Sequence, residues 1–247
     1  MKTIKLSLLI VALLAAAGAQ AQKSGDTIVG IGWAFVRPDA SLSPGNTVSP
    51  APYGAVGAGV TAANTGSATA TINNTSTLSV SVLRMLTDNI GAELSVGSPP
   101  KLTVNMVAGG VVVNEAATAK ALTPALVAKY FFLEPSSSYR PYLGFGVTHA
   151  QFSNVSPRVS NPLVAELAGT SASLGSTWAP VYNAGLIYNI NDKWSVNASV
   201  SYIPLTSAVT FNGVATITGP TTYVPITTTT KLTMNPTDYV IRLGYKF

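Results

Sequence analysis

The sequence predicts an all-β protein, an eight-stranded antiparallel transmembrane β-barrel with short periplasmic turns and four long extracellular loops. Charged residues make up only 9% of the 247-residue chain, whereas soluble domains carry about 25%. After the N-terminal segment, no apolar run approaches the roughly 20 residues that a spanning helix needs. Segments of about ten residues instead alternate apolar and small or polar side chains, as the strands of a barrel in lipid do.

The N-terminus predicts export. Lys2 and Lys5 precede the uncharged run LSLLIVALLAAAG, and Ala19-Gln20-Ala21 forms an A-x-A cleavage site. These features are typical of a secretory signal peptide. We therefore expect residues 1–21 to be cleaved, leaving residues 22–247 as a single outer-membrane β-barrel domain. An uncleaved membrane anchor is the alternative. The chain contains no cysteine, so an exported form would have no disulfides.

Eight segments carry the period-2 pattern. In chain order they are DTIVGIGWAFVRP, TLSVSVLRML, NIGAELSVG, TPALVAKYFF, RPYLGFGVTHA, TWAPVYNAGLIYN, KWSVNASVSYI and DYVIRLGYKF. The seventh is the clearest, and the sixth is blurred by Pro180 and Gly185. In the eighth, the row from Tyr239 to Phe247 is predicted to face lipid, while Arg242 and Lys246 point into the lumen.

The connections between these segments alternate in length. TDN, EPSSS and NIND are tight turns, whereas the linkers at roughly 39–75, 98–121, 152–175 and 206–231 are long. Outer-membrane barrels have short turns in the periplasm and long loops outside. A soluble two-sheet sandwich would also bury one face of each strand, but it gives no reason for this alternation. The predicted location is the outer membrane of a Gram-negative bacterium.

Aromatic side chains fall where a membrane interface is expected. Those beside the short turns and the C-terminus are Tyr130, Phe132, Tyr188, Trp194, Tyr245 and Phe247, and such rings favour the interface. The ending with Tyr245 and Phe247 also resembles the signal read by the outer-membrane assembly machinery. Expected partners are outer-membrane lipid, lipopolysaccharide, that machinery and periplasmic chaperones. The net charge of +5 falls to +3 once Lys2 and Lys5 are removed with the signal peptide, which is too weak and dispersed to indicate nucleic acid.

The sequence shows no strong catalytic or metal-binding pattern. His149 is the sole histidine, and it has no G-x-S-x-G motif, paired carboxylates or second metal ligand nearby. One histidine does not rule out a Ser–His–Asp arrangement, but His149 occupies an outward aromatic position and is better interpreted as an interface residue. We therefore expect no enzyme, no cofactor and no catalytic or metal site.

The lumen offers four candidate charges. An eight-stranded barrel has room only for side chains or one small ligand, which excludes a general porin. Glu93 and Lys129 are placed to pair across the lumen, and Arg242 and Lys246 are expected to add charge lower down. The simplest interpretation is a polar plug in which these groups satisfy one another.

Several runs resemble the outer membrane protein W family, which includes the AlkL-type importers. These runs are TDNIGAEL, RPYLGFGV, STWAP, YNINDKWSVNASVSYI and the ending GYKF. The resemblance implies a hydrophobic pocket at the extracellular end, which small hydrophobic molecules enter before leaving sideways through a gap in the wall. Trp178 matches a family tryptophan thought to close the pocket floor.

Two functions remain open after this resemblance. Prolines cannot donate to a strand ladder, so Pro124, Pro141 and Pro180 are candidates for the weak seam of a transporter. The first and fourth long loops depart from the family, because no charge occurs between Asp39 and Arg84 or from Trp194 to Thr230 and both loops are rich in Thr, Ser, Gly and Ala. The alternative is therefore a structural or interaction barrel, serving adhesion, envelope integrity or attachment of phage or bacteriocin.

Overall fold

The computed structural model describes residues 22–43, 46–48, 69–108, 111–158, 160, 171–216 and 223–247. The predicted signal peptide lies outside these residues. The described chain forms strands β1 (Thr27–Arg37), β2 (Ala40–Leu42), β3 (Asn46–Val48), β4 (Thr69–Ile72), β5 (Thr75–Met85), β6 (Ile90–Gly97), β7 (Lys101–Ala108), β8 (Val111–Leu122), β9 (Ala125–Phe131), β10 (Tyr139–Pro157), β11 (Ser171–Leu174), β12 (Thr177–Asn189), β13 (Trp194–Tyr202), β14 (Leu205–Thr216), β15 (Tyr223–Met234) and β16 (Thr237–Lys246).

Eight of these strands close into a barrel. Their order is β12-β13-β16-β1-β5-β6-β9-β10, and β10 pairs with β12 to complete the circle. Every pairing is antiparallel, and the first and last barrel strands are neighbours. The eight strands coincide with the eight predicted segments, so the predicted fold class is confirmed. Closure gives every barrel strand a hydrogen-bonded neighbour on both sides, as a barrel in lipid requires.

Side chains on the barrel strands alternate between the outer surface and the lumen. On the outside, Ile31, Leu143 and Phe145 are each more than half exposed. On the inside, Val127 and Asn197 are buried. The outward row forms an apolar belt, which is the arrangement expected of a wall in contact with lipid. The period-2 pattern therefore predicts the face of these residues correctly.

The long linkers differ from the sequence-based expectation of loops. They contain β2, β3, β4, β7, β8, β11, β14 and β15. The hairpin of β7 and β8 joins β10, while β14 and β15 pair with each other and with β11, β2 and β3. These strands extend the wall at the extracellular end, beyond the apolar belt. Thr206 on β14 and Thr229 and Lys231 on β15 are exposed there, so the outward positions described on these two strands include polar residues, unlike the apolar row of the spanning segments.

Close backbone approach in the barrel wall leaves no room for a side chain at Gly32. A Cβ added at Gly32 would lie 1.9 Å from the Ile241 carbonyl oxygen on the neighbouring strand, whereas one at Gly175 would meet nothing closer than 3.7 Å. Gly32→Ala must therefore push β1 and β16 apart where the first and last strands pair. We expect a lower urea midpoint in detergent for Gly32→Ala and almost no change for Gly175→Ala. Equal midpoints for the two variants would contradict this packing.

Candidate binding pocket in the barrel lumen

Three charged side chains form a buried cluster across the middle of the lumen. Lys129 Nζ lies 2.6 Å from Glu93 Oε2, and Arg242 Nη1 lies 3.2 Å from Glu93 Oε1. Arg242 also donates to Ser79 Oγ through Nε and Nη2, and Lys129 contacts the Tyr142 hydroxyl at 3.3 Å. Each charged group in the cluster is thus paired and hydrogen-bonded, as buried charged groups in proteins generally are.

The lumen on the periplasmic side of this cluster is filled. Six buried apolar or aromatic residues pack together there: Ile28, Leu83, Met85, Phe131, Tyr142 and Ile187. Arg140 is fully buried beside them. Its guanidinium donates to the carbonyl oxygens of Gln22, Asp88 and Leu133, which ties the start of the described chain to two periplasmic turns. In the described residues, the barrel is therefore closed at its periplasmic end.

A cavity of about 90 Å³ lies on the other side of the charged cluster. Part of its lining is polar and includes Ser79, Asn183, Ser199 and Ser201. Arg242 and Glu93 form its floor, and Asp238 lies in its wall. The small inward residues of the barrel strands create this space because they do not fill the interior of an eight-stranded barrel.

A second, more apolar cavity of about 60 Å³ continues towards the extracellular end. Ile72, Leu102, Phe152, Leu205 and Met234 line it. The two cavities share six lining residues: Val36, Pro100, Ala121, Thr123, Ile203 and Asp238. Most of this apolar lining comes from the strands beyond the spanning segments, such as β4, β7, β14 and β15. The upper pocket is therefore built largely by regions that the sequence predicts to be loops.

The barrel wall is interrupted beside these cavities. The β6–β9 ladder ends at the pair Ser95–Ala125. The next backbone hydrogen bond across this boundary runs from the Ala121 N–H to the Pro100 carbonyl at 3.3 Å. Among the described residues, no backbone hydrogen bond joins 96–99 to 122–124. Residues from both sides of the interruption line the cavity of about 90 Å³: Val96, Gly97, Pro100, Thr123 and Ala125.

Proline chemistry contributes to this interruption. Pro99, Pro100 and Pro124 lie in or next to it, and none has an N–H to donate. The Pro124 carbonyl is bonded away from the boundary, to the His149 N–H and the Thr148 hydroxyl. Pro141 and Pro180, the other predicted seam candidates, lie inside the continuous β10–β12 ladder. They therefore mark no gap on that side.

The position of Trp178 corrects the interpretation based on the resemblance. Its side chain is 69% exposed, and its ring stacks on His149 at a centroid distance of 4.6 Å. Ala179 and Val181 are the buried neighbours on β12, so strand alternation turns Trp178 outward. Trp178 is thus on the outer wall and does not floor the lumen. His149 shares that outer surface, which agrees with its interpretation as an interface residue.

The other predicted positions are placed as follows. Arg242 lies in the same layer as Glu93, so the expectation that it sits lower down is wrong. Lys246 does lie near the periplasmic end, where its Nζ is 3.4 Å from Asp26 Oδ2. Tyr245 packs between Trp194 and Phe247 with ring centroids 4.9 Å apart on each side. The backbone N–H of Phe247 donates to the Thr27 carbonyl.

Sequence reasoning missed Asp238, Asn183 and the lining from β7 and β8. Asp238 shares the inward parity of Val240 and Arg242, so the alternation of the last strand could have identified it. The sequence around lining residues such as Leu102 and Ala121 gives only a weak indication that they face a pocket. In the part of the chain that the structure describes, no helix is long and apolar enough to cross a membrane, and no group of three potential metal ligands occurs.

Comparisons with known proteins agree with this architecture. The family model described as "OmpW family" matches residues 23–247. Outer membrane protein W of Escherichia coli is 30% identical over 211 residues, covering 85% of this chain and 88% of that protein. The Vibrio cholerae protein of the same name is 27% identical over 248 residues, with both chains fully covered.

The fold also matches a solved structure. The crystal structure of OprG from Pseudomonas aeruginosa superposes with a TM-score of 0.75 at 24% identity, covering 93% of this chain and 99% of that one. This likeness supports the barrel and its extended extracellular wall. The predicted location in the outer membrane of a Gram-negative bacterium is confirmed by the relatives and the fold. The chain belongs to the OmpW family of outer-membrane β-barrel proteins.

Proposed function

We propose that this protein is a passive route for the uptake of small hydrophobic molecules. They enter the apolar extracellular cavity and leave sideways into the membrane through the interrupted wall between β6 and β9. The observation that carries this proposal is the combination of a closed floor with a cavity that lies directly behind that interruption. The family resemblance to AlkL-type importers points in the same direction.

The charged cluster argues against a route straight down the lumen. Glu93, Lys129 and Arg242 bridge the barrel interior, and an apolar molecule passing them would have to break their buried contacts. An unpaired charge in such a dry interior is costly. The packed apolar layer below adds a steric block. A molecule in the cavity therefore meets less resistance at the side wall than at the floor.

The interrupted wall supplies the side exit. Residues 96–98 are bonded towards β5, for example through the Ser98 N–H to the Leu78 carbonyl at 2.9 Å. The opposite side begins with Thr123 and Pro124 and is bonded towards β10. Because one side of the interruption is bonded to β5 and the other to β10, the two sides can separate with the loss of few hydrogen bonds. Apolar Leu94 and Leu126 are exposed on the outer surface just below, so an exit here opens onto lipid.

Uptake by cells tests this proposal against the structural alternative. A fluorescent hydrophobic tracer should enter the inner compartments of cells that carry the gene faster than cells that lack it, and plasmid-borne protein should restore the difference. The protein must be shown to be folded by its faster migration on unheated gels. Equal tracer uptake with and without the protein would refute the transport proposal and favour a structural or interaction barrel. Uptake of this kind requires no catalytic step.

The C-terminal aromatic residues are proposed to serve assembly as well as anchoring. Phe247 is 77% exposed and packs on Tyr245, so its removal deletes an interface anchor without opening the lumen. We expect deletion of Phe247 to lower the amount of folded barrel in the outer membrane and to raise periplasmic degradation. Phe247→Trp, which keeps an aromatic end, serves as the control. Wild-type amounts of folded protein after the deletion would contradict this role.

A further inference from the structure

One carboxylate in the pocket has no partner among the described residues. Asp238 Oδ1 is shielded from solvent and makes no hydrogen bond, and no ion pair or hydrogen bond to the Asp238 side-chain oxygens occurs in that part of the chain. The residues directly opposite on the adjacent strands are Val36 and Ser201, and neither is a cation. Buried acceptors are nearly always satisfied in folded proteins, so this one marks a place for something else to bind.

A second unsatisfied acceptor lies in the same cavity. Asn183 Oδ1 is also buried without a hydrogen bond. The Nδ2 atom of the same side chain donates to the Val200 carbonyl and to Ser201 Oγ, and these two bonds fix the orientation of the amide group. Both Asn183 and Asp238 line the cavity of about 90 Å³. The pocket thus presents two acceptor oxygens, one of them on a carboxylate, to whatever occupies it.

The protein's own cations in the lumen are engaged elsewhere. Arg242 is four residues from Asp238 on the same strand, roughly 13 Å away, and its guanidinium binds Glu93 and Ser79. Lys129 binds Glu93 and Tyr142. Neither cation therefore contacts Asp238, which has no cationic partner among the described residues.

We infer that the pocket selects amphiphiles whose polar end donates hydrogen bonds, above all a primary ammonium and next a hydroxyl. The head group binds Asp238 and Asn183 at the junction of the two cavities. Its alkyl chain lies in the upper cavity against residues such as Leu102 and Met234. This inference rests on the proposed function and specifies its ligand class. Carboxylate-headed molecules of the same length are disfavoured because their charge repeats that of Asp238.

Nuclear magnetic resonance of the isotope-labelled barrel in phosphocholine nanodiscs can test this selectivity. The probes are octylammonium, 1-octanol, octane and octanoate, and the observed signals are the Asn183 side-chain amide and the backbone amides of 183 and 238. We expect saturable shifts with octylammonium to occur at a concentration at least about tenfold lower than with octanoate, as charged hydrogen bonds imply. Asp238→Asn should remove the advantage of octylammonium over octane while octane binding persists. Asp39→Asn, at an exposed position beyond β1, is the matched control.

The outcomes separate the two proposals. If octylammonium, octanoate and octane bind equally well to the wild type, the inference is overturned while the proposed uptake of hydrophobic molecules stands. The inference is likewise overturned if Asp238→Asn leaves the ranking of the probes unchanged. If none of the four probes shifts the cavity signals, the proposed function fails as well. Should Asp238→Asn fail to fold, the ranking of octylammonium against octanoate in the wild type decides alone.

Discussion

Glu93→Gln is expected to lower the stability of the barrel by about 3 kcal/mol or more, because removing one partner of a buried ion pair leaves charge uncompensated. Here the loss is shared by two cations, Lys129 and Arg242, which both contact the Glu93 carboxylate. Glutamine keeps the shape and one acceptor oxygen but not the charge. Urea unfolding in detergent micelles, followed by the change in gel mobility, measures the effect.

Two further variants show whether charge is the cause. Glu134→Gln, in an exposed periplasmic turn, should change the free energy of unfolding by less than about 0.5 kcal/mol. Glu93→Gln combined with Lys129→Met should be more stable than Glu93→Gln alone, because only one buried cation is then left without a counter-charge. If Glu93→Gln behaves like Glu134→Gln, the cluster does not stabilise the lumen as described.

Ala121→Trp is expected to reduce uptake of a hydrophobic tracer by more than about tenfold, to the level of cells without the protein. Ala121 is buried and lines both cavities, so an indole there occupies the space where they meet. Overpacking costs about 1–3 kcal/mol, which a barrel can tolerate. Initial uptake rates in cells with matched amounts of folded protein measure the effect.

The neighbouring residue supplies the control for this variant. Lys120 is exposed and lies one position earlier on the same strand, so Lys120→Trp adds an equal ring outside the pocket. It should leave the uptake rate close to that of the wild type. Lys246→Gln, near the periplasmic end, should also leave uptake almost unchanged. A similar loss of uptake in Ala121→Trp and Lys120→Trp would indicate a general defect and not a blocked pocket.

The spanning strands could be predicted because their sequence carries two constraints at once. The outer face must be apolar for lipid, and the inner face must be small or polar to fit a narrow lumen, so KWSVNASVSYI identifies both faces unaided. The extension strands lie under neither constraint. In β15, the run of threonines favours a strand because threonine is β-branched. The run shows no alternation of apolar and polar side chains, however, so the sequence predicts a loop in this region.

The site could be predicted only in part. The alternation of side chains predicts that Glu93, Lys129 and Arg242 face the lumen. It does not predict their positions along the barrel axis, and for this reason the sequence did not reveal that Arg242 lies level with Glu93. For Trp178, the family resemblance implies a place at the pocket floor, whereas the alternation of β12 turns this residue outward. The interruption beside Pro100 depends on which neighbour each strand end bonds to, and this is a property of the closed barrel.

The route through the wall can be tested most directly by photolabelling in native outer membranes. An alkane bearing a diazirine should form adducts with residues lining the cavities and the interruption, such as Val96, Pro100 and Thr123, and excess octane should suppress them. Met85 and Ile187, in the packed layer beneath the charged cluster, should remain unlabelled. Octane-sensitive adducts on Met85 and Ile187, with none at the interruption, would contradict the account and show that molecules pass straight down the lumen.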